Sequence, residues 1–225
     1  MKGFLKAAAF AGLLVATGAQ AADLSGPASV GGYKDDVVYS WWNAGDIFVR
    51  LRGEAVLPDT KSTGSVTNLK VNDTAIPEAD ISYFLTKNIA IETICCVSPH
   101  EITSGSAKIG DTTLFPPTVM LQYHFDMGKI KPYVGAGVNY NVFFDTKGTS
   151  NAPGLKLDNA WGAAVQAGVD YHLSGNWFAN VDFKKYWIGT DYSANGGVHG
   201  HVDIDPIIVG AGIGYRFGTG YAPLK

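Results

Sequence analysis

Charge is scarce in this sequence. Only 16% of its 225 residues are Asp, Glu, Lys or Arg, and the seventeen bases form no cluster longer than the Lys184-Lys185 pair. A protein that tracks nucleic-acid phosphates needs a basic face, so no nucleic-acid partner is expected. Cysteine is nearly absent: the two present, Cys95 and Cys96, are neighbours, too few for a disulfide framework and unsuited to the C-x-x-C pairs of zinc and redox sites. On an extended strand they point to opposite faces, where a disulfide between neighbours is strained, so they read as small apolar side chains. Beyond the first 21 residues no apolar run approaches the ~18 residues of a spanning helix. If the remaining chain crosses a membrane, it does so as a closed barrel, the other fold that satisfies every backbone polar group in lipid.

The first residues read as an address. Lys2 and Lys6 precede the unbroken apolar run from Ala7 to Ala16, and Ala19-Gln20-Ala21 ends the segment with small residues. That order is a secretory signal peptide, residues 1–21, cleaved after Ala21 on export. Residues 22–45, with Gly31-Gly32 and Trp41-Trp42, keep no sustained period and read as a periplasmic lead-in.

From Asp46 the period is two. Ile207, Val209, Ala211, Ile213, Tyr215 and Phe217 alternate with Ile208, Gly210, Gly212, Gly214 and Arg216, an apolar face against a small or polar one. The same alternation runs through Ala136 to Phe144 and Val165 to His172. Weaker runs are Ile47 to Val56, Ile76 to Leu85, Ile89 to Val97, Thr118 to Phe125 and Trp177 to Ile188. Eight strands are expected. Their connections alternate between tight turns (Thr86-Lys87-Asn88, Asp126-Met127-Gly128, Ser174-Gly175-Asn176) and long polar links over 57–75, 98–117, 145–160 and 189–205. Short turns on one rim and long loops on the other are the pattern of an outer-membrane barrel. Aromatics bracket the strands: Tyr83, Tyr123, Phe125, Tyr133, Tyr171, Trp177, Tyr215 and Phe217 beside the short turns, and Tyr140, Phe144, Trp161 and Trp187 toward the long loops, as two interfacial girdles.

Several stretches carry a family likeness. Trp42 to Arg50 (WNAGDIFVR), Gln122 to Phe125 (QYHF), Lys131 to Tyr140 (KPYVGAGVNY), Leu157 to Gly162 (LDNAWG) and Gly214 to Phe217 (GYRF) resemble, in order, the OmpW family of Gram-negative outer-membrane proteins. The resemblance implies an all-β, eight-stranded antiparallel transmembrane barrel over residues 46–217, with short periplasmic turns and long extracellular loops. It also implies a narrow, largely hydrophobic pathway that helps small apolar molecules enter, with a sideways exit through the barrel wall. As partners it implies outer-membrane lipid, the outer-membrane assembly machinery, and bacteriocins or phages at the surface; it implies no enzymatic activity and no cofactor. Two departures stand out: residues 218–225 continue past the aromatic on which relatives end, and Cys95-Cys96 replaces small or apolar residues.

With the apolar face outward, the other parity points into the lumen. It places Arg50, Arg52, Glu54, Glu92, His124, Asp170, His172, Asp182, Lys184 and Arg216 inside, as a polar plug whose charges pair across a lumen just wide enough for side chains. A general diffusion pore is therefore not expected. Above the plug, Trp161, Phe115, Leu157 and Trp187 are the candidates for an apolar, ligand-contacting mouth, Trp161 foremost. Asp170, His172 and Asp182 share neighbouring positions, but no Ser or Cys nucleophile stands at a recognisable spacing, so no catalytic residue is assigned. His199-Gly200-His201 with Asp203 puts ligand-type side chains at alternate positions, but loop histidines are more often only solvated, and no metal is assigned.

The expected function is an outer-membrane barrel forming a narrow channel for small hydrophobic molecules. The alternatives are a non-conducting structural or surface-antigen barrel whose loops bind partners, and a soluble lipocalin-like barrel. The last predicts an apolar interior and polar exterior, the reverse of the partition here.

Overall fold

The structure, a computed structural model, describes residues 41–66 and 68–218. The segment expected as a signal peptide, most of the expected lead-in and residues 219–225 lie outside the described residues.

Eight strands form the ring: β1 (Ile47–Leu57), β2 (Thr74–Phe84), β3 (Ile89–Cys96), β4 (Thr118–His124), β5 (Ile130–Gly148), β6 (Ala160–Ser174), β7 (Trp177–Trp187) and β8 (Ile207–Phe217). Each pairs antiparallel with the next, and β8 returns to β1 in an unbroken register from Ile47 opposite Phe217 to Leu57 opposite Ile207. Closure leaves no free edge. Alternate positions have opposite solvent preferences, which gives the sheet one apolar face, and closing it leaves no unpaired backbone edge in lipid. The outer face carries Leu51, Ile81, Leu121, Val138, Val181 and Ile213, all exposed.

The tight turns use local chemistry. Thr86 Oγ1 accepts from the amides of Asn88 (3.2 Å) and Ile89 (2.9 Å), and Gly128 (φ 71°) and Gly175 (φ 58°) take the left-handed conformation at the other two.

At the opposite rim the long links are not polar loops. They fold into further strands: Ser98–Ser104 and Ala107–Phe115 form a hairpin that pairs onto the extended end of β5 and onto Leu69–Val71. Gly189–Ala194 and Val198–Asp203 form a second hairpin between Lys61–Gly64 and Lys156–Leu157. Their exposed positions are polar, which is the signal a loop also gives. Their inward positions (Leu69, Ile102, Ile109, Leu114, Leu155, Val202) make an apolar core continuous with the upper lumen.

Glycine on the inner face makes room for large neighbours. The Phe178 ring lies over Gly214, where a Cβ would come within 2.2 Å of the ring, and the Tyr133 phenol lies over Gly168, leaving 2.3 Å. Two side chains of that size cannot share one level of so narrow a tube. Gly214→Val should therefore sharply reduce the fraction that refolds in detergent, scored by the band that shifts on boiling. Gly53→Val, on the outer face with no atom within 4 Å of the added Cβ, should refold like the wild type; equal refolding of the two variants would refute the account.

Candidate functional site

The lumen is built in three levels. At the short-turn end an aromatic floor closes it: Trp41 and Trp42 fold back under the ring and pack on Phe48, Phe84, Ala90 and Phe178. Two indole N–H donors fasten this segment, Trp42 to Lys87 O at 2.6 Å and Trp41 to Gly128 O at 3.1 Å. Trp41 also stacks on His172, and Arg216 donates to the Trp41 carbonyl and pairs with Asp46 at 2.8 Å. Within the floor the Lys131 ammonium sits 3.1 Å from the Trp42 ring centroid and 3.9 Å from that of Phe84, with no hydrogen-bond acceptor in reach among the described residues. Ring faces, which carry partial negative charge, surround it instead.

Above the floor lies the charged plug. Arg50, on β1, forms a fork to Asp170 across the lumen (3.1 and 2.8 Å) and reaches Asp80 at 2.8 Å and Ser82 at 2.7 Å. Arg52, one pleat higher, donates to Glu78 (3.0 Å), Asp80 (2.5 Å), Glu92 (3.2 Å) and Asn180 (3.0 Å). Lys184 contacts Glu54, Glu78 (2.9 Å) and Asp182 (2.9 Å). Tyr133 donates to Asp182 at 2.6 Å, and Gln166 to Glu92 at 2.8 Å. Partners come from opposite sides of the ring and all are buried, so the axial path is filled by side chains.

Of the residues that parity places in the lumen, Arg50, Arg52, Glu54, Glu92, Asp170, Asp182 and Lys184 meet in this plug. His124 lies lower, beside Gln122 (2.9 Å) and the Phe84 ring. His172 and Arg216 belong to the floor, His172 only partly buried. Glu78, Asp80, Ser82, Lys131 and Tyr133 also face the lumen and were not expected there. Glu78 and Asp80 stand on β2, where Ile76 and Phe84 share their parity and disguise the inner face as mixed. Lys131 and Tyr133 share the parity of Gly135 and Asn139, both read as inward, and that parity was the available signal. Tyr133 is accordingly not a girdle residue: it is 1% exposed and spans the lumen. Trp41 and Trp42, read as lead-in, form the floor.

Above the plug the interior turns apolar. Two adjoining cavities share His100, Leu114 and Ile204 as lining. The upper one lies between the two hairpins and the top of β5; the lower one rests on Val56, Ile76, Tyr186 and Ile208. His100 is buried between them, held by Ser98 Oγ at 2.8 Å and facing the Asn72 carbonyl at 3.3 Å. Desolvation holds its pKa below the ordinary imidazole value, so it is neutral at pH 7. Of the expected mouth residues, Leu157 lines the upper cavity. Phe115 is half-buried outside both cavities, and Trp161 (72% exposed, beside the Tyr140 ring) and Trp187 stand on the outer face. Parity explains this: Trp161 shares its face with Val165, Val169 and Tyr171.

The remaining polar groups make no second centre. His201 in the second hairpin has both ring nitrogens turned to carboxylates, Asp191 at 2.6 Å and Asp203 at 3.4 Å, and the Asp191 hydrogen bond raises its pKa. Among the described residues no group of three His, Cys, Asp or Glu side chains converges as a metal site. Cys95 is exposed on the outer face, and Cys96, half-buried, borders the lower cavity.

The plug joins six carboxyl groups (Glu54, Glu78, Asp80, Glu92, Asp170, Asp182) to three bases (Arg50, Arg52, Lys184), so bases are its limiting component. Arg52→Met should lower unfolding stability in detergent by ~3–5 kcal/mol, because it strands several buried carboxylates. Glu92→Gln, which removes one surplus acid, should cost far less; a larger loss for Glu92→Gln in urea titration would contradict that reading.

Comparison with known proteins agrees with this architecture. The OmpW family model matches residues 43–217. The chain is 41% identical over 182 residues to an uncharacterized outer-membrane protein, y4mB, of Sinorhizobium fredii, covering 75% of this chain and 79% of that one. It is 33% identical to outer membrane protein W of Vibrio cholerae, covering 77% and 89%. The crystal structure of the outer membrane protein OprG from Pseudomonas aeruginosa superposes with a TM-score of 0.70 at 28% identity, covering 79% of this chain and 98% of that chain. A match across almost the whole described chain, joined to relatives above 30% identity, leaves one assignment: the chain belongs to the OmpW family and is an outer-membrane β-barrel.

Proposed function

We propose that this barrel admits small hydrophobic molecules through the outer membrane, and that the apolar chamber above the plug receives them. The observation that carries this reading is the division of the lumen: apolar cavities at the extracellular end, a closed ionic plug in the middle and an aromatic floor at the periplasmic end. A molecule that enters the chamber finds the axial route shut, so the exit must be lateral.

The wall offers a place for it. The ladder between β2 and β3 ends at Glu78 opposite Cys96, and backbone pairing resumes at Asn72, whose N–H donates to Glu101 O at 3.2 Å. Pro77, in the gap, has no N–H to donate. Ile76 and Cys96, at the gap, line the lower cavity. An apolar solute leaving there would pass from apolar lining to lipid without crossing the plug. The filled axial lumen also suits the second reading, a barrel that conducts nothing and presents its hairpins to surface partners such as bacteriocins or phages.

Uptake of the apolar dye 1-N-phenylnaphthylamine by cells separates the two. Cells bearing the wild-type barrel should take up the dye faster than cells without it. Ala194→Trp, which fills the upper cavity from its rim, should return uptake to the level without the protein. Trp161→Ala, on the outer face, should change it by less than about twofold. Uptake that is the same with and without the barrel would leave only the receptor reading.

A further inference from the structure

The base of the chamber carries a charge pattern that a purely apolar conduit does not need. One pleat below Val56, Ile76, Tyr186 and Ile208, which line the lower cavity, the inner positions are Glu54, Glu78, Lys184 and Gly210. Gly210 adds no side chain, and a Cβ there would press on Glu54 Cγ at 2.9 Å. The layer beneath the chamber is therefore two carboxyl groups around one ammonium, all three side chains buried.

Among the described residues, the basic donors in reach are already engaged. The Lys184 ammonium faces Glu54, Glu78 and Asp182. The nitrogens of Arg52 face Glu78, Asp80, Glu92 and Asn180, and those of Arg50 face Asp80, Ser82 and Asp170. Acceptors, in contrast, are in surplus, and Glu54 Oε2 accepts no hydrogen bond from the described residues. Neither cavity has a Lys or Arg in its lining, and the one imidazole between them, His100, is uncharged. An anionic head group lowered into this chamber would meet no free cation among the described residues, and would lie above buried carboxyl groups where the surroundings screen little. A hydroxyl or an ammonium meets acceptors.

We infer that the layer of Glu54, Glu78 and Lys184 sorts amphiphiles by head group, admitting uncharged and cationic heads on an apolar body and excluding carboxylates of the same length. This rests on the transport reading above and names its substrate class.

The test is uptake at neutral pH of three radiolabelled ten-carbon probes, 1-decanol, decyltrimethylammonium and decanoate, by cells with and without the full-length barrel. The wild type should accelerate the first two, with decanoate behind decanol by about tenfold. In Glu54→Gln/Glu78→Gln, which leaves the Lys184 ammonium with Asp182 as its remaining charged partner, the ratio of decanoate to decanol uptake should rise by about tenfold. If that variant lacks the heat-shifted band of a folded barrel, Glu54→Gln alone is used, with a smaller rise expected. Equal acceleration of decanoate and decanol by the wild type overturns the inference while leaving transport intact, and so does an unchanged ratio in a folded variant. Acceleration of no probe overturns the transport reading itself.

Discussion

Ring closure is the constraint on which the rest depends. In lipid each backbone N–H and C=O must find a protein partner, so the β8–β1 seam has to pair along its whole length. Eight strands closed in this way enclose a lumen only as wide as a few side chains. A large residue on one strand then requires a small one opposite, which is why Phe178 meets Gly214 and Tyr133 meets Gly168. The same narrowness brings Arg50 to Asp170 and Lys184 to Glu54, pairs separated by more than a hundred residues in the chain.

Much of this was legible because alternation is a strong local signal. Strand number and turn positions follow from alternation together with turn-forming residues, and parity gives the inward residues named from Arg50 to Arg216. What was not legible has a physical reason in each case. On β2 the inner face runs from apolar Ile76 through Glu78, Asp80 and Ser82 to apolar Phe84, since one strand crosses chamber, plug and floor in turn; no single polarity marks it as inward. Tyr133 has the chemistry of a girdle residue and the parity of a lumen residue, and parity decides. The long links read as loops because their outward positions are polar, while the burial of Ile102, Ile109 and Leu155 depends on contacts between segments far apart in sequence. Trp161 attracted a functional reading through its sequence block, although its face was fixed by Val165 and Val169.

The three levels of the lumen divide the work by chemistry. Aromatic rings close the periplasmic end, where the Trp41 and Trp42 N–H groups can reach the backbone carbonyls of tight turns. Ions fill the middle, where partners arrive from all sides of the ring. Apolar side chains line the extracellular end, where the hairpins extend the wall beyond the ring and hold an apolar interior above it. A channel open along its axis would need the middle level to be wet and loose. Here it is filled by cross-linked side chains, and the interrupted ladder at Pro77 is where the wall departs from continuous pairing.

An ionic plug is an expensive way to fill a tube, since buried charges lose hydration that well-packed apolar side chains would not have to lose. Lipid changes the comparison. If the lumen were also apolar, both faces of each strand would suit lipid and core about equally, and a slip of one residue, which exchanges the faces, would meet little resistance. With Arg50, Arg52, Asp80, Asp170 and Lys184 on one parity, the same slip would carry several charges into hydrocarbon. The cross-lumen forks go further, because Arg50 reaches both Asp80 and Asp170 only when β1 is in register with its neighbours around the ring. The plug that shuts the axial path thus also supplies the register that an apolar exterior cannot specify.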